Sequence, residues 1–133
     1  MEKAVALVSG GLKSAVMVAA ERDRCDLLVL HIETGSRSSA AERAAFAELC
    51  GKLGLANPTV VSLPHVVDMI DHLWFDRGAS AGDIEIQTEI LDAYVPGLMP
   101  TMLGVAVLYA VRCRARRILV GACEYAATSP RPA

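Results

Sequence analysis

The residues best suited to do chemistry stand together near the start of the chain, in the run Ser9-Gly10-Gly11-Leu12-Lys13-Ser14. Two adjacent glycines tolerate positive φ and let main-chain amides approach an anion closely. Two hydroxyls and an ammonium flank them. The apolar run 4–8 before the turn reads as a buried strand, and the Ala-, Val- and Met-rich run behind it reads as a helix. A helix start carries unpaired N–H groups and the positive end of the helix dipole, so the whole segment suits phosphate. Ser9, Gly10, Gly11 and Ser14 are the candidate phosphate contacts, with Leu12 and Lys13 in the same turn. The plainer alternative is an ordinary strand-to-helix turn with a serine cap. For Lys13, phosphate contact and a solvated helix-start lysine stand equal.

Two common nucleotide motifs do not fit. A Walker A loop needs G-x-x-x-x-G-K-[ST]; Lys13-Ser14 supply its ending, but Leu12 and Leu7 occupy its two glycine positions. A dinucleotide fingerprint needs G-x-G-x-x-G, and this turn lacks both that spacing and the third glycine.

Other reactive side chains are scattered. His31 lies inside an apolar strand, where a buried or edge histidine with its hydrogen bonds satisfied outweighs a base or ligand. Glu33 and Arg37 follow that strand and compete with the reading of ordinary exposed charges. His65 and His72 are seven residues apart on an apolar-periodic segment and read as solvent-facing. Trp74-Phe75 reads as a core anchor ahead of an interface patch. Cys25, Cys50, Cys113 and Cys123 show no C-x-x-C pair and no histidine at metal-ligand spacing, so the expectation is four reduced, mostly buried thiols. Cys123 follows the last strand, but no base is visible that would make it a nucleophile.

These groups must be positioned by one domain, residues 1–133, for which 53% apolar residues are ample. A net charge of −2 argues against nucleic acid and membrane surfaces and favours a small polar ligand. The N-terminal strand and the lack of a long apolar stretch point to the cytoplasm.

Periodicity predicts strands at 4–8, 26–32, 59–63 and 118–121, and helices at about 13–21, 39–53 and 101–112. In the second helix Ala40, Ala44, Ala47, Leu49 and Leu53 are the expected inner face, and Gly54 the stop. In the third, Pro100 sits near the first turn, and Met102, Val105, Ala106 and Tyr109 line a face. Residues 65–74 keep helical spacing, and about 75–83 reads as a loop. Such alternation implies an α/β, doubly wound parallel sheet of about four to five strands with helices on both faces. Its ligand crevice lies beyond the carboxyl ends of the strands, which brings residues 9–14, 33–37 and 121–125 to one region.

The pattern strand-S-G-G-x-x-S-helix resembles the pyrophosphate loop of the PP-loop ATP pyrophosphatase superfamily, usually S-G-G-x-D-S. Further segments are similar to the 7-cyano-7-deazaguanine synthase family of queuosine biosynthesis. Glu33-Thr34-Gly35-Ser36-Arg37 resembles its D-Y-G-Q-R, Tyr94-Val95-Pro96-Gly97 its Y-V-P-[AG]-R-N, and residues 115–122 its G-A-R-R-I-V-I-G-A. The matches keep the family's order. The resemblance implies a Rossmann-like, adenine-nucleotide alpha-hydrolase-like fold and ATP, with magnesium, cleaved to AMP and pyrophosphate. The acceptor would be 7-carboxy-7-deazaguanine, adenylated and converted by ammonia to the amide and then the nitrile. Ser9 to Ser14 would hold phosphate, and main-chain groups of His31, Ile32, Glu33 and Gly121, with Arg37, would frame the nucleotide.

Departures from the pattern bear on chemistry. Lys13 replaces the loop aspartate and cannot ligate a metal, although its ammonium can neutralise pyrophosphate. Leu98-Met99 replace the R-N pair, and apolar side chains cannot orient an anionic intermediate. The family's zinc site of four cysteines has no counterpart, so zinc is not expected. An inactive homologue serving as a nucleotide-binding or assembly module is therefore the alternative to an AMP-forming ligase. A homodimer or a complex with another subunit would supply a missing wall.

Overall fold

The computed structural model of the chain describes residues 1–35, 38–64, 66, 69 and 97–121. Among them the strands are β1 (Lys3–Leu7), β2 (Asp26–Glu33), β3 (Thr59–Ser62) and β4 (Arg117–Val120). The helices are α1 (Leu12–Glu21), α2 (Ser39–Leu53) and α3 (Leu98–Cys113). All strand pairs are parallel, in the order β3-β2-β1-β4. The chain therefore winds outward from β1 to β3 and returns to the other side of β1. This reversal puts the switch point between β1 and β4, where Leu7 pairs with both Leu30 and Val120.

Side chains alternate across the sheet, and the two faces bury separate clusters. On one face Val5, Leu7, Leu30, Ile32 and Val120 pack against Met102, Val105, Ala106, Tyr109 and Ala110 of α3. On the other, Ala6, Val8, Val29 and Leu119 pack against Met17 and Val18 of α1 and Phe46, Leu49, Cys50 and Leu53 of α2. That separation is the doubly wound architecture the alternating pattern implies: crossovers in one direction leave α1 and α2 on one face, and the reversed crossover puts α3 on the other.

The expected elements are present with shifted ends. α3 begins at Leu98 behind Gly97, three residues early, because Pro100 falls in the first turn, where its missing N–H costs no intrahelical bond. β2 extends to Glu33, β3 stops at Ser62, and β4 is Arg117–Val120. α2 covers the expected span, with Gly54 left-handed at φ 61°. Its inner face differs from the expectation. Ala40, Ala44 and Ala47 are exposed, whereas Phe46 and Cys50 are buried and Leu49 and Leu53 half-buried. Alanines ring this helix and set no phase, so the larger apolar area of Phe46 decides which side turns inward. The expected 65–74 helix and 75–83 loop lie almost wholly outside the described residues. Among the described residues no helix is long and apolar enough to cross a membrane.

Candidate functional site

Past β1 the buried Val8 donates its N–H to the Leu30 carbonyl at 2.9 Å, and the chain then turns at Ser9. Gly10 takes φ +92°, and a Cβ on it would lie 2.8 Å from the Glu42 carbonyl and 3.2 Å from the Phe46 nitrogen. Only glycine fits there, because both the backbone conformation and the approach to α2 exclude a side chain. The two hydroxyls brace the turn. Ser9 Oγ accepts the Gly11 N–H at 3.3 Å and lies 3.4 Å from Ser14 Oγ, which donates to the Gly11 carbonyl at 3.1 Å.

Gly11 is the N-cap of α1, which has no side-chain cap and no acidic residue in its first turn. The serine-cap alternative is thus not what the chain adopts: both serines bond within the turn. The first N–H groups of α1 and its positive dipole end are left without a side-chain acceptor, which is the arrangement that attracts an anion. Lys13 is exposed beside them and makes no ion pair among the described residues. Leu12 projects into solvent, 81% exposed.

The carboxyl ends of β1, β2 and β4 converge on this turn. A Cβ on Gly121 would fall 2.8 Å from the Ser14 nitrogen, so the end of β4 rests on the head of α1. Between them a cavity of about 80 Å³ is lined by Ser9, Ser14, Ile32, Gly121, Met99 and Met102, among others. The position that carries R-N in the motif is therefore an apolar wall of the crevice. Met102 was not singled out as a site residue; its spacing of three from Met99 on one helix is the signal that marks it.

His31 is buried, with Nδ1 2.7 Å from the Val8 carbonyl and its ring stacked on Phe46 at 5.1 Å between centroids. Its Nε2 is buried without a partner among the described residues, so there the histidine is only half satisfied, contrary to expectation. Its ring lies against the apolar Phe46, and its Nδ1 contact goes to backbone. Glu33 pairs with Arg43 of α2 at 3.4 Å, and its carbonyl accepts the Leu63 N–H. Arg43 had no sequence signal, since only the packing of α2 brings it to β2. Arg37, His65, His72, Trp74, Phe75 and Cys123 lie outside the described residues.

Cys25, Cys50 and Cys113 are free thiols. Burial pushes the Cys25 and Cys50 thiols above their ordinary value, with the Arg117 guanidinium partly offsetting the rise at Cys25. Among the described residues no three His, Cys, Asp or Glu side chains converge as metal ligands. The turn thus has the geometry of an anion site, and a lysine ammonium stands beside it in place of a carboxylate.

The description "Queuosine biosynthesis protein QueC" belongs to the family model that matches residues 3–130. The chain is 26% identical over 125 residues to a 7-cyano-7-deazaguanine synthase of Campylobacter curvus, covering 93% of this chain and 56% of that protein. It is 30% identical over 124 residues to one of Chlorobaculum tepidum, covering 92% and 55% respectively. The chain thus spans a little over half the length of the curated relatives it matches.

Proposed function

The chain belongs to the QueC family of queuosine biosynthesis proteins, and from that premise we propose that it binds ATP with the pyrophosphate end in the Ser9–Ser14 turn. The observation that carries this reading is the uncapped N-terminus of α1 behind a glycine held at φ +92°. Main-chain N–H groups there are oriented before any ligand arrives, so little reorganisation opposes binding. Main-chain groups of β2 at His31, Ile32 and Glu33, and Gly121 beyond β4, frame the nucleoside across the switch point.

The reaction suggested by the relatives' name is formation of 7-cyano-7-deazaguanine. In it the acceptor's carboxylate attacks the α-phosphorus of ATP, so that an acyl-adenylate forms as the bond to the β-phosphate breaks and pyrophosphate departs. This chain's contribution is positioning and charge stabilisation: the turn and α1 receive the departing pyrophosphate, and the Lys13 ammonium adds a point charge. No step is assigned to a magnesium ligand.

Calorimetry with ATP, AMP and pyrophosphate tests the binding reading, and absence of binding at millimolar nucleotide overturns it. A second reading is favoured by Lys13 in the turn and by Met99 and Met102 on the crevice wall: a nucleotide-binding or assembly module without turnover. Incubation with ATP, magnesium, 7-carboxy-7-deazaguanine and ammonia separates the two. Amide or nitrile product excludes the inactive module.

A further inference from the structure

We propose that His31 is a positioning residue that sets the exit of β1 into the phosphate turn through the carbonyl of Val8; its consequence for ligand affinity rests on the phosphate reading of that turn. A carbonyl only accepts, so the contact of 2.7 Å requires a proton on Nδ1, and in the neutral ring Nε2 is then a bare acceptor. Nε2 has no partner among the described residues in its buried position. A valine or leucine would satisfy the apolar pattern of β2 without burying such an atom. What the imidazole adds is a donor for Val8, the last buried residue before Ser9.

The same histidine is tied to the other side of the turn. Its ring stacks on Phe46 with 20° between the planes, and the Phe46 nitrogen is part of the surface against which Gly10 is packed. Val8 and Gly10, on either side of Ser9, are therefore both referred to α2, one through the imidazole and one directly. Without the Nδ1–H, the Val8 carbonyl becomes a buried acceptor that reaches its hydrogen bond only by moving toward water, and Ser9 moves with it.

His31→Phe keeps the ring and its stacking but removes both nitrogens, whereas His31→Asn offers an N–H near the place of Nδ1. Replacing histidine by phenylalanine exchanges one unpartnered buried acceptor, Nε2, for another, the Val8 carbonyl. The melting temperature is therefore expected to stay within a few degrees, which separates positioning from general structural support. In the ligand-free protein, amide exchange at Val8 relative to Val5 is expected to quicken about tenfold in His31→Phe, the factor one net hydrogen bond commands, and to recover in His31→Asn. Pyrophosphate affinity, measured by calorimetry, is expected to fall about tenfold and recover in the same order. Nitrogen-15 spectra of the wild-type protein should show the proton on Nδ1. A ring with its proton on Nε2 and none on Nδ1, or equal relative exchange at Val8 in wild type and His31→Phe, overturns the proposal. If the wild-type protein takes up no pyrophosphate, the phosphate reading falls, and the exchange and nitrogen-15 results decide the role of His31 alone.

Discussion

Gly121, the residue after β4, sits so close to Ser14 at the head of α1 that a Cβ on it would lie 2.8 Å from the Ser14 nitrogen. The neighbouring contacts, 2.9 Å to Lys13 C and to Ser14 Cα, are also backbone, so no side chain can swing aside to relieve them. Through this contact β4 fixes where the first turn of α1 stands relative to the crevice.

Gly121→Ala is expected to push α1 away from β4. The cost is about 1–3 kcal/mol of stability, as for other overpacked positions, and pyrophosphate affinity should fall with it. Urea unfolding and calorimetry read the two effects. Gly51→Ala is the control: nothing lies within 4 Å of its Cβ, and it is inside α2. Its expected effect is a gain of about 0.5–1 kcal/mol from helix propensity. An unchanged unfolding midpoint in Gly121→Ala would contradict the close contact.

Gly10→Ala meets two obstacles, a φ of +92° and the Glu42 carbonyl at 2.8 Å. Backbone strain and overpacking together should cost roughly 2–4 kcal/mol. Denaturant unfolding measures it. A loss below about 0.5 kcal/mol would mean that the turn can adopt another conformation.

Lys13→Ala separates stability from binding. A cation at a helix N-terminus opposes the dipole, so its removal should raise stability slightly, by about 0.3–1 kcal/mol. Pyrophosphate affinity should move the other way, falling several-fold and becoming less dependent on salt. Calorimetry at low and high ionic strength tests this, and unchanged affinity at low salt would leave Lys13 as a solvated residue.

The buried thiols give a pH dependence of known sign. Cys25 and Cys50 are raised above 9.0 by burial. Below about pH 9 both folded and unfolded thiols hold their protons, and the full stability is present. Above it the unfolded thiols ionise first while the folded ones stay protonated, so stability falls as pH rises, by at most about 1.4 kcal/mol per unit for each thiol. Urea midpoints at pH 7.5 and pH 10 check the direction. In the native state at pH 8, iodoacetamide should label the half-buried Cys113 ahead of Cys25 and Cys50.

The order of elements, the parallel sheet and the glycine turn at Ser9–Ser14 are legible in the chain itself. Apolar runs bounded by glycine and proline depend on local sequence, and the paired glycines with flanking serines announce a turn that few other functions require. Segment resemblances spread from Ala4 to Ala122 lead to the family that the match over residues 3–130 shows. The inner face of α2 was not legible, because its alanines carry no phase and Phe46 turns inward only against β1 and β2.

What only the tertiary structure decided are the contacts between segments distant in sequence: Glu33 with Arg43, Gly10 with α2, Gly121 with Ser14, and the His31 nitrogen with the Val8 carbonyl. Sequence by itself determined the strand-to-helix turn on which the phosphate proposal rests, since paired glycines, hydroxyls and a helix start fall within six consecutive positions. Which groups hold that turn in place depends on packing between strands and helices, and packing is set by shape and distance rather than by local pattern.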